Sequence, residues 1–254
     1  MRVAVKKYFF LGLLVLWSAG CTTGRVVNVD SEISRGEKLY NQGKFDEAIA
    51  KYQKALKANP KSAQAHYHLG NAYWSKQKTT EAITEFKKAL EIEPKNTVFH
   101  QELGVTYFSE GRLKDAKKQY QDTIKINPGH AVAHNNLGTV YHAGLEPRKA
   151  LSELKEGVRL NPYSEAMHYN LGYVYQDAGQ YDKAIEQFQK TLSIHPDLAA
   201  AHYSLALAYY RKKNYRAALG HYKKAMTQGF PRDYTLAGIV NLTHLLRKIR
   251  PTLQ

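Results

Sequence analysis

Five histidines have the type and spacing that first suggest chemistry, because they recur at one constant interval along the chain. They are His66, His100, His134, His168 and His202. Regularly spaced imidazoles could form a ladder of metal sites, but a zinc ion needs its ligand nitrogens about 2.0–2.1 Å away. If each histidine stands on a separate helix, the helix axes lie about 8–10 Å apart. Each histidine also precedes a recurring leucine by three residues, on the packing side of its helix. We therefore predict a structural role for these histidines and no metal site.

No other arrangement of residues predicts catalysis. The sequence contains no Gly-x-Ser-x-Gly, no glycine-rich phosphate loop and no His-Glu-x-x-His. A regular repeat occupies the chain from residue 29 to about residue 232, which leaves no room for a separate catalytic domain. We predict that the protein is not an enzyme and needs no cofactor.

Cys21 is the only cysteine and the other residue with evident chemistry. It follows a basic start with Arg2, Lys6 and Lys7, an apolar stretch at 8–17, and small residues. This pattern is typical of a secretory signal, and the apolar stretch is about half the ~20 residues of a membrane-spanning helix. Ala19-Gly20-Cys21 resembles the lipobox of bacterial lipoproteins, although Leu is commoner than Ser at position 18. The resemblance implies removal of residues 1–20 and covalent lipid on Cys21. Several acyl chains anchor a protein firmly, at ~0.8 kcal/mol per buried CH₂.

The elements that position these residues form a repeat with the same interval as the histidines. Six columns keep this period. The prolines are Pro60, Pro94, Pro128, Pro162 and Pro196; the leucines are Leu69, Leu103, Leu137, Leu171 and Leu205; the tyrosines are Tyr73, Tyr107, Tyr141, Tyr175 and Tyr209. The alanines are Ala48, Ala82, Ala116, Ala150, Ala184 and Ala218; small residues stand at Gly36, Gly70, Gly104, Gly138, Gly172 and Ala206; the aromatics are Tyr52, Phe86, Tyr120, Phe188 and Tyr222, with Leu154 in the fourth copy. Leucine, small residue and tyrosine at i, i+1 and i+4 share one helix face, and proline ends a second helix.

This period and these residue types resemble the tetratricopeptide repeat. The resemblance implies an all-α, right-handed superhelical solenoid of six helix pairs, at 29–62, 63–96, 97–130, 131–164, 165–198 and 199–232. The stretch 233–254 has an apolar stripe and predicts a C-terminal capping helix with a short tail, which covers the outer face of the last repeat. Residues 21–28 form the lipidated N-terminus and tether.

In this family the first helices line a concave surface that holds a partner, at positions flanking the packing columns. Transferred to this chain, the positions are Tyr67, Asn71, Trp74, Gln101, Phe108, Asn135, Asn136, Tyr169, Asn170, Tyr173, Tyr203 and Tyr210. Aromatic rings suit protein recognition, and asparagine amides can pair with a peptide backbone. Alternatively, several of these residues pack between repeats. Tyr67 occupies the place of the first lysine in the subgroup that clamps a terminal carboxylate, so we do not expect that activity.

The chain is strongly basic, with a formal net charge of +15, of which +12 remains after removal of residues 1–20. Such a charge can attract nucleic acid, anionic lipid or an acidic partner. Alternatively, the charged side chains only keep the outer helix faces hydrated. Export makes nucleic acid an unexpected partner.

These features predict a lipid-anchored scaffold for protein–protein interaction in the bacterial envelope, at the periplasmic face of the outer membrane. Lipobox, short tether and six repeats resemble the lipoproteins that assist type IV pilus and secretin assembly. An adaptor for envelope hydrolases or proteases, and a binder of anionic lipid or polysaccharide, remain alternatives. The expected partners are a protein or peptide in the groove and the membrane through the lipid.

Overall fold

The computed structural model describes residues 27–230, which form an all-α solenoid of twelve helices. The signal peptide, Cys21, most of the tether and the predicted capping helix at 233–254 lie outside the described residues. The helices are α1 (Val29–Asn41), α2 (Phe45–Ala58), α3 (Ala63–Ser75), α4 (Thr79–Ile92), α5 (Thr97–Ser109), α6 (Leu113–Ile126), α7 (Ala131–Ala143), α8 (Pro147–Leu160), α9 (Glu165–Asp177), α10 (Tyr181–Ile194), α11 (Ala199–Arg211) and α12 (Tyr215–Thr227). Each predicted repeat contains one helix pair, and the predicted fold class is confirmed.

The two kinds of helix begin differently. Four of the first helices begin at an Asn or Ser whose side chain accepts a hydrogen bond from a backbone N–H of the first turn, as Ser62 does from Ala65. Such caps satisfy donors that the helix itself leaves free. Each second helix follows a tight turn through one residue with positive φ: Gly43, Gln77, Gly111, Leu145, Gly179 and Lys213. The short turns keep the helices of one repeat antiparallel and in contact.

The packing within a repeat depends on the column of small residues. A Cβ atom added at Gly70 would lie 2.7 Å from Cε1 of Phe86, and one at Gly138 would lie 2.6 Å from Cγ of Leu154. A larger side chain would therefore push the two helices apart. The recurring alanines of the second helices are likewise buried, and the leucine column joins most repeats into one continuous core. The residue types that carry the period are therefore the ones that this close packing requires.

The recurring histidines join consecutive repeats. The Nε2 atom of each lies 2.9–3.1 Å from the carbonyl oxygen of the proline that ends the preceding repeat. The Nδ1 atom contacts a side chain of the second helix of its own repeat. These partners are Glu85, Gln119, Glu153, Gln187 and His221, at 2.5–3.1 Å. The histidines are buried, so the structure gives each of them the structural position that the sequence predicts.

The first helices face the inside of the solenoid. First helices of successive repeats contact one another, as in the pairs α1–α3, α7–α9 and α9–α11, whereas each second helix packs mainly on its own first helix and on the next one. Hydrogen bonds also link neighbouring first helices, such as Tyr40 to Ser75 over 2.8 Å and Asn170 to Asn135 over 3.0 Å. A stack of repeats curves toward the side on which neighbouring repeats lie closer together. Here that side is formed by the first helices, which therefore line the concave surface.

Candidate protein-binding groove

The inner surface is one face of the first helices, repeated along the stack. In α5 this face carries Val98, Glu102, Val105 and Phe108, whose spacing of three or four residues aligns their side chains. The corresponding positions of the other first helices lie one or more complete repeats before or after these four residues in the sequence. They include most residues predicted from the sequence, together with several that it did not single out.

The N-terminal part of this surface contains a cavity of about 370 Å³ between α1 and α3. It is lined by Glu37, Tyr40, Asn41, Tyr52, Tyr67, His68 and Asn71. Burial raises the pKa of the Tyr67 hydroxyl, which a hydrogen bond with the Asn71 side chain partly offsets. Burial also lowers the pKa of His68, whose Nε2 lies 3.2 Å from Glu37 Oε1. The predicted Tyr67 and Asn71 therefore lie together, in a polar recess with aromatic walls.

The middle of the surface is more apolar than the residues predicted from the sequence suggest. The predicted Trp74, Gln101 and Phe108 lie there and are half-buried. Three valines are more accessible: Val98 is 48% exposed, Val105 36% and Val132 40%. The sequence did not single them out because valine is common in helix cores. Only their register could have indicated them, since each lies a whole number of repeats away from a position that faces inward on another first helix.

The predicted asparagines of the fourth and fifth repeats contact one another. Asn135 donates to Asn136 Oδ1 over 3.2 Å and accepts from Asn170 Nδ2 over 3.0 Å. Asn135 is buried, and Asn136 also hydrogen-bonds to the Tyr120 hydroxyl. These amides link α7 to α9, so the structure gives the Asn135 side chain a packing role and leaves Asn136 and Asn170 half-buried at the surface.

The predicted tyrosines differ in accessibility. Tyr173 is 43% exposed and rests edge-on against His142, with ring centroids 5.6 Å apart. Tyr169 is half-buried, and its hydroxyl lies 3.2 Å from Ser204 Oγ. Tyr203 stacks on Phe230 at 4.4 Å, and Tyr210 packs near Tyr215 at 5.7 Å. Tyr173 is therefore the predicted tyrosine best placed to contact a partner.

A second cavity, of about 350 Å³, lies beside the turn between α7 and α8. It is lined by His142, Leu145, Pro147, Val174, Asp177 and Ala178, and Leu145 itself is almost fully exposed. No motif in the sequence indicates this cavity.

The charges are divided between the two kinds of helix. The six first helices carry six acidic and three basic residues, whereas the six second helices carry eleven acidic and eighteen basic residues. The basic character of the described helices therefore belongs to the second helices, and the first helices carry a small excess of acidic residues.

The described residues show neither a metal site nor a membrane span. Between residues 27 and 230 no three His, Cys, Asp or Glu side chains come together in a way that could hold a metal ion. No helix in this range combines the length and the apolar character that crossing a membrane requires.

Comparisons with known proteins agree with this architecture. Family models of the tetratricopeptide repeat match residues 34–97, 74–138 and 163–228. A solved structure of MamA is 32% identical, with a TM-score of 0.58, and the match covers 63% of this chain and 94% of that chain. The chain therefore belongs to the tetratricopeptide repeat family. None of the curated proteins compared with the sequence gives a significant match.

Two further solved structures share the fold at lower identity. The pilF protein of Pseudomonas aeruginosa is 19% identical, with a TM-score of 0.68, over 76% of this chain and 88% of that chain. YrrB, described as a TPR protein with an unusual peptide-binding site, is 24% identical, with a TM-score of 0.59, over 74% of this chain and 96% of that chain. At these identities the similarity concerns the fold alone.

Proposed function

We propose that this protein is a lipid-anchored scaffold of the bacterial envelope that holds a segment of a partner protein on its inner surface. The observation that carries the proposal is the row of accessible apolar and aromatic side chains, Val98, Val105, Val132 and Tyr173, on packed first helices. Side chains on rigid elements bind with little loss of conformational freedom. Repeat proteins of this kind generally act as scaffolds, and we propose the same non-enzymatic role here.

The membrane anchor rests on the sequence around Cys21. A basic start, a short apolar stretch and Ala19-Gly20-Cys21 together favour lipid attachment. Only seven residues separate Cys21 from the first residue of α1. A lipid on Cys21 would therefore hold the solenoid close to the membrane. We propose the periplasmic face of the outer membrane as the site.

Cys21→Ala tests the anchor. We expect metabolic labelling with a radioactive fatty acid to be lost and the protein to move from the membrane to the soluble fraction, because the thiol is the attachment point. Cys21→Ser serves as a second thiol-free variant and should behave in the same way. Fatty-acid label retained by both variants would contradict the proposal.

Assistance in the assembly of type IV pili or their secretins is the particular task that we propose. It is supported by the order of lipobox, short tether and six repeats, and the fold shared with pilF is consistent with it. Envelope hydrolases or proteases are the competing class of partner, and the same surface would serve them.

Capture of partners from an envelope extract tests the surface and the task together. The bait is the mature chain with Cys21→Ser, compared with the same bait carrying Tyr173→Ala or Tyr163→Ala. Tyr163 is a matched control because it belongs to the same stretch of chain and is 83% exposed in the loop before α9. We expect a pilus or secretin component to be lost only with Tyr173→Ala, by about tenfold or more if Tyr173 is a binding hot spot.

The other outcomes decide between alternatives. Loss of a hydrolase or protease would replace the pilus role with recruitment of that enzyme. Equal capture by both variants would refute the inner surface as the binding site. Capture that disappears steeply with added salt would favour the basic second helices and an anionic lipid or polysaccharide.

A further inference from the structure

Glu102 is an acidic residue on the inner surface whose carboxylate has no partner in the part of the chain that the structure describes. It lies on α5, and no hydrogen bond or ion pair reaches its carboxylate from the described residues, although much of the side chain is buried. Three of the other five acids of the first helices are paired. Glu37 contacts His68. Glu32 contacts Arg35, Lys51 and Lys54, and Asp177 contacts His142.

Burial raises the pKa of Glu102, and no other group opposes this effect. An ionised carboxylate loses its favourable contacts with water when it is buried. This loss of hydration free energy is offset only by a nearby cation or by hydrogen-bond donors. The Glu102 charge raises the pKa values of the Tyr67 and Tyr120 hydroxyls. They are engaged with Asn71 and Asn136, respectively. Within residues 27–230, therefore, no cation reaches this carboxylate.

The fold does not require an acid at this position. The corresponding residues of the other five repeats are Ser34, His68, Asn136, Asn170 and Ser204, with neutral side chains or, for His68, an imidazole whose pKa burial lowers. The helix pairs around them pack in the same way. The carboxylate is thus a specific property of the third repeat rather than of the repeat fold.

Apolar side chains surround Glu102 on the same surface. Val98 precedes it by four residues and Val105 follows it by three, so both share its face of α5. Val132 occupies on α7 the position that Val98 occupies on α5. All three valines are exposed. A ligand that covers this patch would bury the valines and at the same time remove more water from the carboxylate.

We propose that the inner surface selects a partner segment with a lysine or arginine between apolar residues, and that the cationic group pairs with Glu102 while the apolar residues cover the valines. This inference rests on the proposed binding of a protein segment. Charge complementarity supports it, because the acidic first helices contrast with the basic second helices. A partially buried ion pair contributes more to selectivity than an exposed pair, since removing either member leaves the other without compensation.

Selection of random dodecapeptides by phage display tests the proposal. The target is the full chain purified in detergent, as wild type, as Glu102→Gln and as Glu91→Gln. Glu91 gives a matched control because it is an exposed acid on the second helix α4. We expect wild type and Glu91→Gln to enrich peptides with Lys or Arg between apolar residues. Glu102→Gln should keep the apolar preference and lose the basic one.

A double-substitution cycle on one selected peptide measures the pairing. Glu102→Gln, and replacement of the peptide lysine by methionine, should each weaken binding about tenfold or more, and both changes together should cost little more than either one. Additive effects would overturn the proposed ion pair. Thermal unfolding of Glu102→Gln should match or exceed that of wild type. A clear loss of stability would assign Glu102 to the fold and overturn its proposed role.

The outcomes separate the two proposals. Apolar peptides that bind without any basic preference would refute the role of Glu102 and leave the proposed function intact. Failure to enrich any peptide would refute the binding of an extended segment, and with it both proposals. Equal loss of the basic preference in Glu91→Gln would assign the effect to general charge rather than to Glu102.

Discussion

The packed face and the inner face of the same first helices follow opposite rules. On the packed face, nearly the same residues recur from repeat to repeat and are buried, as with Leu69 and Leu103. On the inner face, corresponding positions differ from one repeat to the next: the position of Glu102 carries His68 in one neighbouring repeat and Asn136 in the other. Packing is therefore specified once and repeated, whereas recognition depends on differences between repeats.

The comparison also explains where each kind of substitution should act. Each repeat contacts only its neighbours, so the stability of the stack is distributed along it. A change on the packed face should weaken the fold wherever it is made, while a change on the inner face should affect binding at one place. The expected loss of stability is therefore largest at the small-residue column and smallest at exposed positions of the inner face.

Gly138→Leu should produce the largest loss of stability. A Cβ atom at this position would lie 2.6 Å from Leu154 Cγ and 3.2 Å from the carbonyl oxygen of Ala150. Overpacking of such a contact costs about 3 kcal/mol. Urea unfolding monitored by helical circular dichroism measures the loss.

Gly220→Leu is the matched control for this change. A Cβ atom at Gly220 meets nothing within 4 Å, and the residue is exposed in α12. Replacing glycine inside an exposed helix should stabilise the protein by up to about 1 kcal/mol. Equal effects of the two substitutions would show that the small-residue column does not control helix approach.

His221→Gln should reduce the sensitivity of the fold to acid. Nδ1 of His202 lies 3.1 Å from Nδ1 of His221, and burial lowers the pKa of both imidazoles. At His202 the hydrogen bond to the Pro196 carbonyl and the charge of Asp197 oppose this effect, and Lys224 adds to it. At His221 the charges of His202 and Lys224 both add to it. A folded-state pKa below the unfolded value means that the unfolded chain binds more protons, so stability falls as the pH drops below about 6.5.

Removal of one of the two imidazoles should reduce the part of this acid-dependent loss that comes from the pair. Gln is the matched replacement because Gln119 and Gln187 already pair with the corresponding histidines of the third and fifth repeats. The measurement is the urea midpoint at pH 7 and pH 5. His68, whose pKa burial also lowers, contributes equally in both proteins. An unchanged difference between the two midpoints would contradict the role of this pair.

Tyr173→Ala should have the smallest effect on stability, within about 0.5 kcal/mol, because the side chain is 43% exposed. Tyr163→Ala should have a similarly small effect, for the same reason. Thermal unfolding of both variants beside wild type measures this. A loss in Tyr173→Ala alone as large as that of a typical core substitution would mean that the inner face also holds the fold together, and the division between the two faces would fail.

The sequence indicated the inner surface but ranked its residues incompletely. Tyr67, Asn71 and Tyr173 were found because aromatic and amide side chains at those positions suggest recognition. Val98 and Val105 were missed because an isolated valine in a helical pattern is normally assigned to a core. Asn135 was predicted to face a partner, but the curvature of the stack brings α7 and α9 together and engages its amide with Asn170.

The sequence by itself determined the fold, because its constant period and the residue types that carry it resemble the tetratricopeptide repeat closely enough to imply the solenoid. It also determined the structural role of the histidines, since each precedes a packing leucine at a constant distance. Only the tertiary structure decided what those histidines bind and which inner residues remain accessible. It alone showed that, among the described residues, Glu32 is surrounded by three cations whereas Glu102 has none. The physical reason is that burial and charge pairing depend on neighbours from other helices, whose distances the sequence pattern does not contain.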